Sequence, residues 1–499
     1  MSNTAGQARR SWRPDQRVLI TAFHEVGALA RDARYLYAAT RGGLTRYDFT
    51  RGVWELPSTE EDGYPVNEQP SALAVDGLQA DVWLGTASGS VFRYREVPAG
   101  WENVGFALSG EIAAIVPSIG TEEEGIWVQA GSTWFRANRL GAGVRPVPPA
   151  NVPASIVRRA ASLRTLDPTL AAFRSSIGLD RRARRWPITA FQRGDRPEQY
   201  WFATSGAFVF RFDALRNQSE WLWYGAATRG VSALAMVGDT LWLGADGRGQ
   251  RSGAVRTTRD LQGWQLRDAL EGGPNGRIEQ IVATNTHVYF AGADGVSRLQ
   301  HGSTRVERLS RERANTVAVA GESVWIGGRS GLLQLAGSRQ QPALHVGIGR
   351  IRVLGEQIWF AAADGLYHVA RAVHADSLRL VRETGLPAAS FVDVASIGDR
   401  QIALTSDAVF LHDAAGWRGP VRLPAMRGLG RLTALASDGD AVWIGGVNGL
   451  VRYQPATEEW LYFLVPHDLP AGPVDIVPDH EHVWLATPSG ALRLTWKRS

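Results

Sequence analysis

Few side chains in this sequence stand at spacings that could do chemistry. His480 and His482 are the closest pair among ten histidines. Residues two apart in a strand share a face, so the pair could offer two imidazoles to a metal ion, with Asp479 and Glu481 beside them. The sequence names no third ligand, and a turn ahead of a strand accounts for the same residues. Asp62-Gly63-Tyr64-Pro65, in an acidic loop, and Glu122, Glu123 and Glu124 could attract calcium. Neither has the regular carboxylate spacing of a calcium loop, and both read as solvated turns. GADGRG at 244–249 looks like a phosphate loop but opens no helix pattern. No nucleophile elbow, P-loop or dinucleotide fingerprint occurs. The chain has no cysteine, which excludes disulfides, thiolate metal sites and cysteine nucleophiles. The expectation is a protein without catalytic residues, metal or cofactor, with enzymatic activity left open because spacing along the chain does not show which acids a fold brings together.

One basic stretch stands apart. It carries Arg158, Arg159, Arg164, Arg174, Arg181, Arg182, Arg184 and Arg185, with Asp167 and Asp180 against them. Such a cluster could grip an acidic protein surface, a lipid headgroup or a phosphate. Nucleic-acid binding requires a concentrated basic stripe with interleaved aromatics. Here the net charge is only +5 over 499 residues, and Lys497 is the single lysine, so nucleic acid is not an expected partner. Residues 158–177 have helical rather than strand spacing.

The elements that must position these residues are repeats. Within 432–463, LTALA, AVWIGG, LVRYQ and EEWLYF read as four short strands separated by turns, and ten further stretches vary the same theme. One aromatic per stretch sets the register: Tyr37, Trp83, Trp127, Trp201, Trp242, Tyr289, Trp325, Trp359, Trp443 and Trp484, with Ala403 in that place in the ninth stretch. Most steps are 34 to 47 residues (Trp325 to Trp359, Trp242 to Tyr289), and Trp127 to Trp201 spans 74. A period of this length with four strands per unit indicates propeller blades. Gly445 and Gly446 mark close sheet-to-sheet approach. Asn448-Gly449 and Asp364-Gly365 read as hairpin turns needing positive φ.

At VWLGTASGSVFRY, VWIGGRSGLLQL and VWIGGVNGLVRY the chain resembles the two-component regulator propeller repeat: aliphatic, Trp, aliphatic, Gly, a small residue, a glycine turn, Leu, then a basic or polar residue and Tyr. The resemblance runs through nearly all the chain; the third, fifth and ninth stretches depart most. It implies a β-propeller. In that family paired propellers form extracytoplasmic sensors of hybrid histidine kinases, often recognising glycans. This chain ends at WKRS after the eleventh unit, with no β-sandwich, membrane helix or kinase, which puts signalling in doubt.

The expected fold is therefore all-β, a β-propeller of about eleven four-stranded blades, as two packed propellers or one large ring. Residues 1–16 read as a disordered tail, 17–138 as blades 1–3, 139–186 as an irregular Arg-rich insertion or degenerate blade, and 187–499 as blades 4–11. Strand 18–23 is expected to close the last blade by pairing with 491–495. Function reads as a non-catalytic binding scaffold for a protein or glycan partner. The alternatives are a propeller lyase or hydrolase acting on polysaccharide, and an extrinsic subunit of a bacterial membrane complex. Arg158, Arg159, Arg174, Arg181, Arg182, Arg184 and Arg185 are the candidate partner contacts. No apolar run approaches the ~18 residues of a membrane helix. Met1 to Asp15 is polar, so the expected location is periplasmic or extracellular as a mature form, or else cytoplasmic.

Overall fold

The computed structural model describes residues 16–496 except 78–79, 97–98, 119–123, 164, 166, 181, 249–251, 270–271, 338, 371–378 and 422–427. Among the described residues the strands form eleven four-stranded antiparallel sheets, and each is one of the eleven repeats. They are numbered here as blades 1–11 in chain order.

Blade 10 shows why the sequence folds this way. Its strands are Leu432–Ser437, Val442–Gly446, Gly449–Gln454 and Glu459–Leu464. The second is buried at every position, as expected of a short apolar run covered on both faces by neighbouring sheets. Trp443 sits there opposite Ala436 and Arg452 and packs against Ile476, Val483 and Leu485 of blade 11. Trp83 packs in the same way on blade 3, Trp242 on blade 6 and Trp325 on blade 8. All ten column aromatics are buried, Tyr289 being the most exposed at 5%.

The glycine after the column aromatic is required by this packing. A Cβ at Gly85 would lie 2.4 Å from the Ile112 side chain of the next blade, and one at Gly445 would lie 2.9 Å from Pro473 and 3.2 Å from Ile476. The hairpin expectation is corrected at Gly449 and Gly365, neither of which has φ in the left-handed region. Gly449 is needed for close approach instead: a Cβ there would lie 2.5 Å from the Phe463 carbonyl oxygen.

The blades divide into two compact units, one comprising Ala22–Gly225 and the other the remainder. The larger unit holds blades 5–11, seven sheets. Its first strands neighbour one another in turn, and that of blade 5 also neighbours blade 11, so the ring is closed. Blade 11 takes its outer strand from the N-terminal side of the chain: Arg17–Ile20 pairs antiparallel with 491–494. This strand is shorter than the expected 18–23, since Ala22 and Phe23 belong to the other unit.

The smaller unit holds blades 1–4. First strands neighbour one another in the order blade 4, blade 1, blade 2, blade 3. Residues between blades 3 and 4 fill the remaining place. The third blade extends past the expected limit at 138, because its outer strand is Arg145–Val147. Beyond it lies helix α1, Ala154–Ser162. Its buried Ile156 and Ala160 pack on Val116, Trp127 and Trp134 of blade 3. A 3-10 turn, Pro168–Phe173, follows, and Leu170, Phe173 and Ile177 pack on Tyr200, Phe202, Phe210 and Phe212 of blade 4. Two apolar faces, one per neighbouring blade, make the insertion a wedge in a blade's place.

Candidate functional site

The ring centres are built from the first strand of each blade, and a common device positions them. In most first strands the register shifts by one residue, leaving a bulged residue between two paired ones: Gly27, Ser71, Ala113 and Thr189 in the smaller unit, and Ser232, Glu279, Gly349, Val392 and Thr433 in the larger. Several bulged side chains latch onto the next blade. Ser71 donates to the Ile112 carbonyl at 2.8 Å, Thr189 to Val26 at 2.6 Å, Ser232 to Ile278 at 2.6 Å and Thr433 to Pro473 at 2.5 Å. At Gly27 the approach is closer still, with a Cβ placed 2.1 Å from the Pro70 carbonyl oxygen.

In the larger ring the residues after the bulges include Gln280, Arg350 and Asp393, and they form a buried polar network. Arg352 makes a bidentate pair with Asp393, Nε to Oδ1 at 2.9 Å and Nη2 to Oδ2 at 2.7 Å, and Nη2 also donates to the Leu435 carbonyl at 3.2 Å. Arg350 lies 3.7 Å from Asp393 of the next blade and 3.7 Å from Asp475 of blade 11. Asp475 accepts from the Leu234 backbone N–H of blade 5 at 2.9 Å. Gln280 accepts from the Thr316 hydroxyl at 2.5 Å and from Val317 N–H at 3.0 Å. Burial works against the Arg352 charge, and the Asp393 carboxylate more than offsets it, holding the guanidinium above its ordinary range. Through these contacts blade 8 is joined to blades 9, 10 and 11, blade 11 to blade 5, and blade 6 to blade 7.

In the smaller ring the residue after the bulge is alanine four times: Ala28, Ala72, Ala114 and Ala190. A cavity of about 650 Å³ opens there, lined by all four first strands and by Leu163 at the end of α1. Most lining side chains are small and apolar, but with the backbone included polar atoms present nearly as much surface as apolar ones; Gln69, Ser71, Glu111 and Thr189 are the polar lining residues. The first strand of blade 4, Ile188–Arg193, has no fully buried residue, and Ile188 is 39% exposed.

The candidate partner contacts all lie in the wedge or its link to blade 4, and they separate into two groups. Arg158, Arg159, Arg174 and Arg182 are exposed. Arg184 pairs with Asp180 at 2.5 Å, and Arg185 donates to the carbonyls of Arg174 at 3.0 Å and Ser175 at 2.8 Å. These two arginines hold the wedge's own chain in shape. Arg181 and Arg164 lie outside the described residues. Asp167, which begins the 3-10 turn, accepts from the Thr169 hydroxyl at 2.8 Å and N–H at 3.0 Å and from the Tyr200 hydroxyl at 3.2 Å, and it pairs with Arg193. These bonds, the Thr169 hydroxyl first, hold its carboxyl below the usual range.

The remaining sequence candidates are placed as follows. His480 is in a turn and His482 opens a strand, where burial and then Arg493 lower the tendency of its imidazole to protonate. The acidic loop is a capped 3-10 turn, Glu60–Asp62, in which Thr59 and Asp62 cap each other's backbone. Gly244 and Ala245 end a strand, Asp246 leads into a loop, and Gly249 lies outside the described residues. The channel residues Arg350, Arg352, Asp393 and Asp475 were missed by sequence reasoning. Their signal was a charge inside the otherwise apolar first strands IGRIRVL, FVDVASI and DIVPD.

No helix among the described residues is long and apolar enough to cross a membrane. No family model and no curated protein matches the sequence. Solved structures do match. PorZ, a bacterial surface component of the type-IX secretion system of Porphyromonas gingivalis, is 10% identical, with 96% of this chain and 87% of that chain covered and a TM-score of 0.57. The extracellular domain of a putative hybrid two component system from B. thetaiotaomicron is 13% identical, covers 95% of this chain and 82% of that one, and has a TM-score of 0.44. The WD40 β-propeller domain of Doa1 covers 54% of this chain at a TM-score of 0.43. At 10% identity the likeness to PorZ speaks for fold alone, and with eleven four-stranded sheets this chain is a β-propeller protein whose blade repeat resembles that of the two-component regulator propeller family.

Proposed function

We propose that this chain is a non-catalytic scaffold that holds an acidic protein partner through the arginine-bearing wedge of its smaller unit. The observation that carries the reading is the exposure of Arg158, Arg159, Arg174 and Arg182 on one irregular segment. Regular blades spend their residues on packing, whereas long irregular segments within compact domains are commonly functional. Like charges gathered on one segment repel, and an acidic surface relieves that repulsion. The likeness to a surface component of a secretion system supports a place outside the cytoplasm, docked to a membrane assembly as an extrinsic subunit. The polysaccharide-cleaving alternative needs carboxylates available at a channel. Asp393 and Asp475 instead serve the larger ring, each accepting from backbone N–H and facing guanidinium groups.

The test is affinity capture from native membranes with the parent and with a variant carrying Arg158→Glu, Arg159→Glu, Arg174→Glu and Arg182→Glu. Arg184 and Arg185 are left intact because they hold the wedge together. The parent should capture a stoichiometric partner, more strongly at 0.01 M salt, where the Debye length is ~30 Å, than at 0.15 M, where it is ~8 Å. The variant should keep the melting temperature and lose the partner. Equal capture by the variant would remove the wedge from the interface.

A further inference from the structure

We infer that the central cavity of the smaller unit is a binding site for an uncharged small molecule that carries both apolar and hydrogen-bonding groups, separate from the partner surface on the wedge. Three observations lead there. The first is size. At about 650 Å³ the cavity falls in the range of roughly 300–1,000 Å³ typical of small-molecule sites, and the first strands of four blades surround it. A helix or a strand pair of a partner would not enter such a ring, whereas a small molecule would.

The second is the wall. Leu29, Pro70, Leu73, Ile115, Ile188 and Phe191 supply apolar surface, and the four alanines after the bulges set the width. Ser71 and Thr189 spend their hydroxyl protons on the carbonyls of the next blade, so toward a ligand they keep only acceptor capacity. Each first strand pairs on one edge only, which leaves backbone N–H and C=O groups at the ring centre for a few neutral hydrogen bonds. Among the lining residues only Glu111 is ionisable, and it is exposed. A charged ligand inside would lose water without gaining a buried counter-charge, which is strongly unfavourable. The site therefore selects a neutral molecule.

The third is access. Ala87, Glu111, Ile188 and Thr189 line the cavity and are themselves exposed, so it opens to solvent. In the larger ring, the positions after the bulges carry Gln280, Arg350 and Asp393 and form hydrogen-bonded or ionic contacts across the centre. The smaller ring has alanine at all four of its positions, where the larger has it at two of five, and among the described residues no side chain spans the space this leaves.

The experiment uses the full chain and the neutral fluorophore N-phenyl-1-naphthylamine. Titration should give saturable fluorescence enhancement at one site per chain. Ala190→Phe, which fills the cavity from the wall, should weaken binding by at least about tenfold. Ile188→Glu, which puts a charge at a position already 39% exposed, should do the same without disturbing the fold. Melting temperatures and circular dichroism are recorded for both, so that if Ala190→Phe does not fold, Ile188→Glu gives the answer. Absence of saturable enhancement in the parent overturns the site, as does parent-like affinity in the folded variants. Partner capture by Ile188→Glu should be unchanged, which keeps this site distinct from the wedge surface.

Discussion

The two rings are built from the same blade and differ at their centres. In both, bulged first strands meet around an axis and latch side chain to carbonyl. In the larger ring the position after the bulge is alanine in two blades, Ala233 and Ala434, and Gln280, Arg350 and Asp393 in the other three, which put hydrogen bonds and ion pairs at the centre. In the smaller ring it holds four alanines, and a cavity remains. The rings also differ in how they close. The larger borrows Arg17–Ile20 to complete blade 11, and the smaller uses a wedge of helix and 3-10 turn in place of a blade. Side-chain volume at one register position thus separates a ring stabilised by its own contents from a ring with space for a guest.

This contrast can be broken at four points; calorimetry that resolves the two units reads the first three, and hydrogen exchange the fourth. Removing residues 1–20 takes the outer strand from blade 11 and with it the fully buried Val18, Leu19 and Ile20. At about 1.5–3 kcal/mol for each buried side chain, the larger unit should lose on the order of 5 kcal/mol or more, and the smaller unit should melt as before. An unchanged larger-unit transition would mean that the strand does not close the ring. Trp443→Ala should cost the larger unit roughly 3–5 kcal/mol, and Trp83→Ala should cost the smaller unit a similar amount, as buried large-to-small changes. A loss under ~1 kcal/mol at either would show that the column is not core there.

Asp393→Ala leaves Arg352 and Arg350 facing each other without their shared carboxylate. Breaking a buried pair from one side costs about 3–5 kcal/mol, at the lower end here because Arg352 is partly exposed. The effect should fall on the larger unit alone, and a change in the smaller unit's melting would contradict the separation of the two centres. The smallest effect expected is acid release of the wedge. Asp167 is held below the usual carboxyl range in the folded chain, so its contribution is full above about pH 4 and is lost as pH falls below that. Protection of amides around 154–177, relative to their intrinsic exchange rates, should fall on acidification, and Asp167→Asn should remove much of that pH dependence. An identical profile in the variant would place the acid sensitivity elsewhere.

Much of the fold was legible because a blade is a local object. Its four strands follow one another through short turns, so alternation, turn residues and one aromatic per repeat report each sheet without knowledge of its neighbours. The helical spacing expected over 158–177 was met only in part: α1 spans Ala154–Ser162, and a 3-10 turn at Pro168–Phe173 takes the place of further α-helix. The candidate site was less legible. Arg184 and Arg185 look the same in sequence as Arg158 and Arg159, yet the first two bind carbonyl and carboxylate groups of their own segment while the latter stand exposed.

By itself the sequence determined the blade, its count and the aromatic register, since these depend on residues a few positions apart. The tertiary structure alone decided the rest. It divided eleven blades into seven and four, and turned the interruption into a wedge, while the pairing of the N-terminal strand with 491–494 was expected from sequence and only its bounds moved. It also decided that Gly449 serves close approach to Phe463 and not a left-handed turn. The physical reason is the same in each case. Ring closure, buried ion pairs and an empty centre depend on which distant blades become neighbours, and that follows from packing the whole ring, which no single repeat encodes.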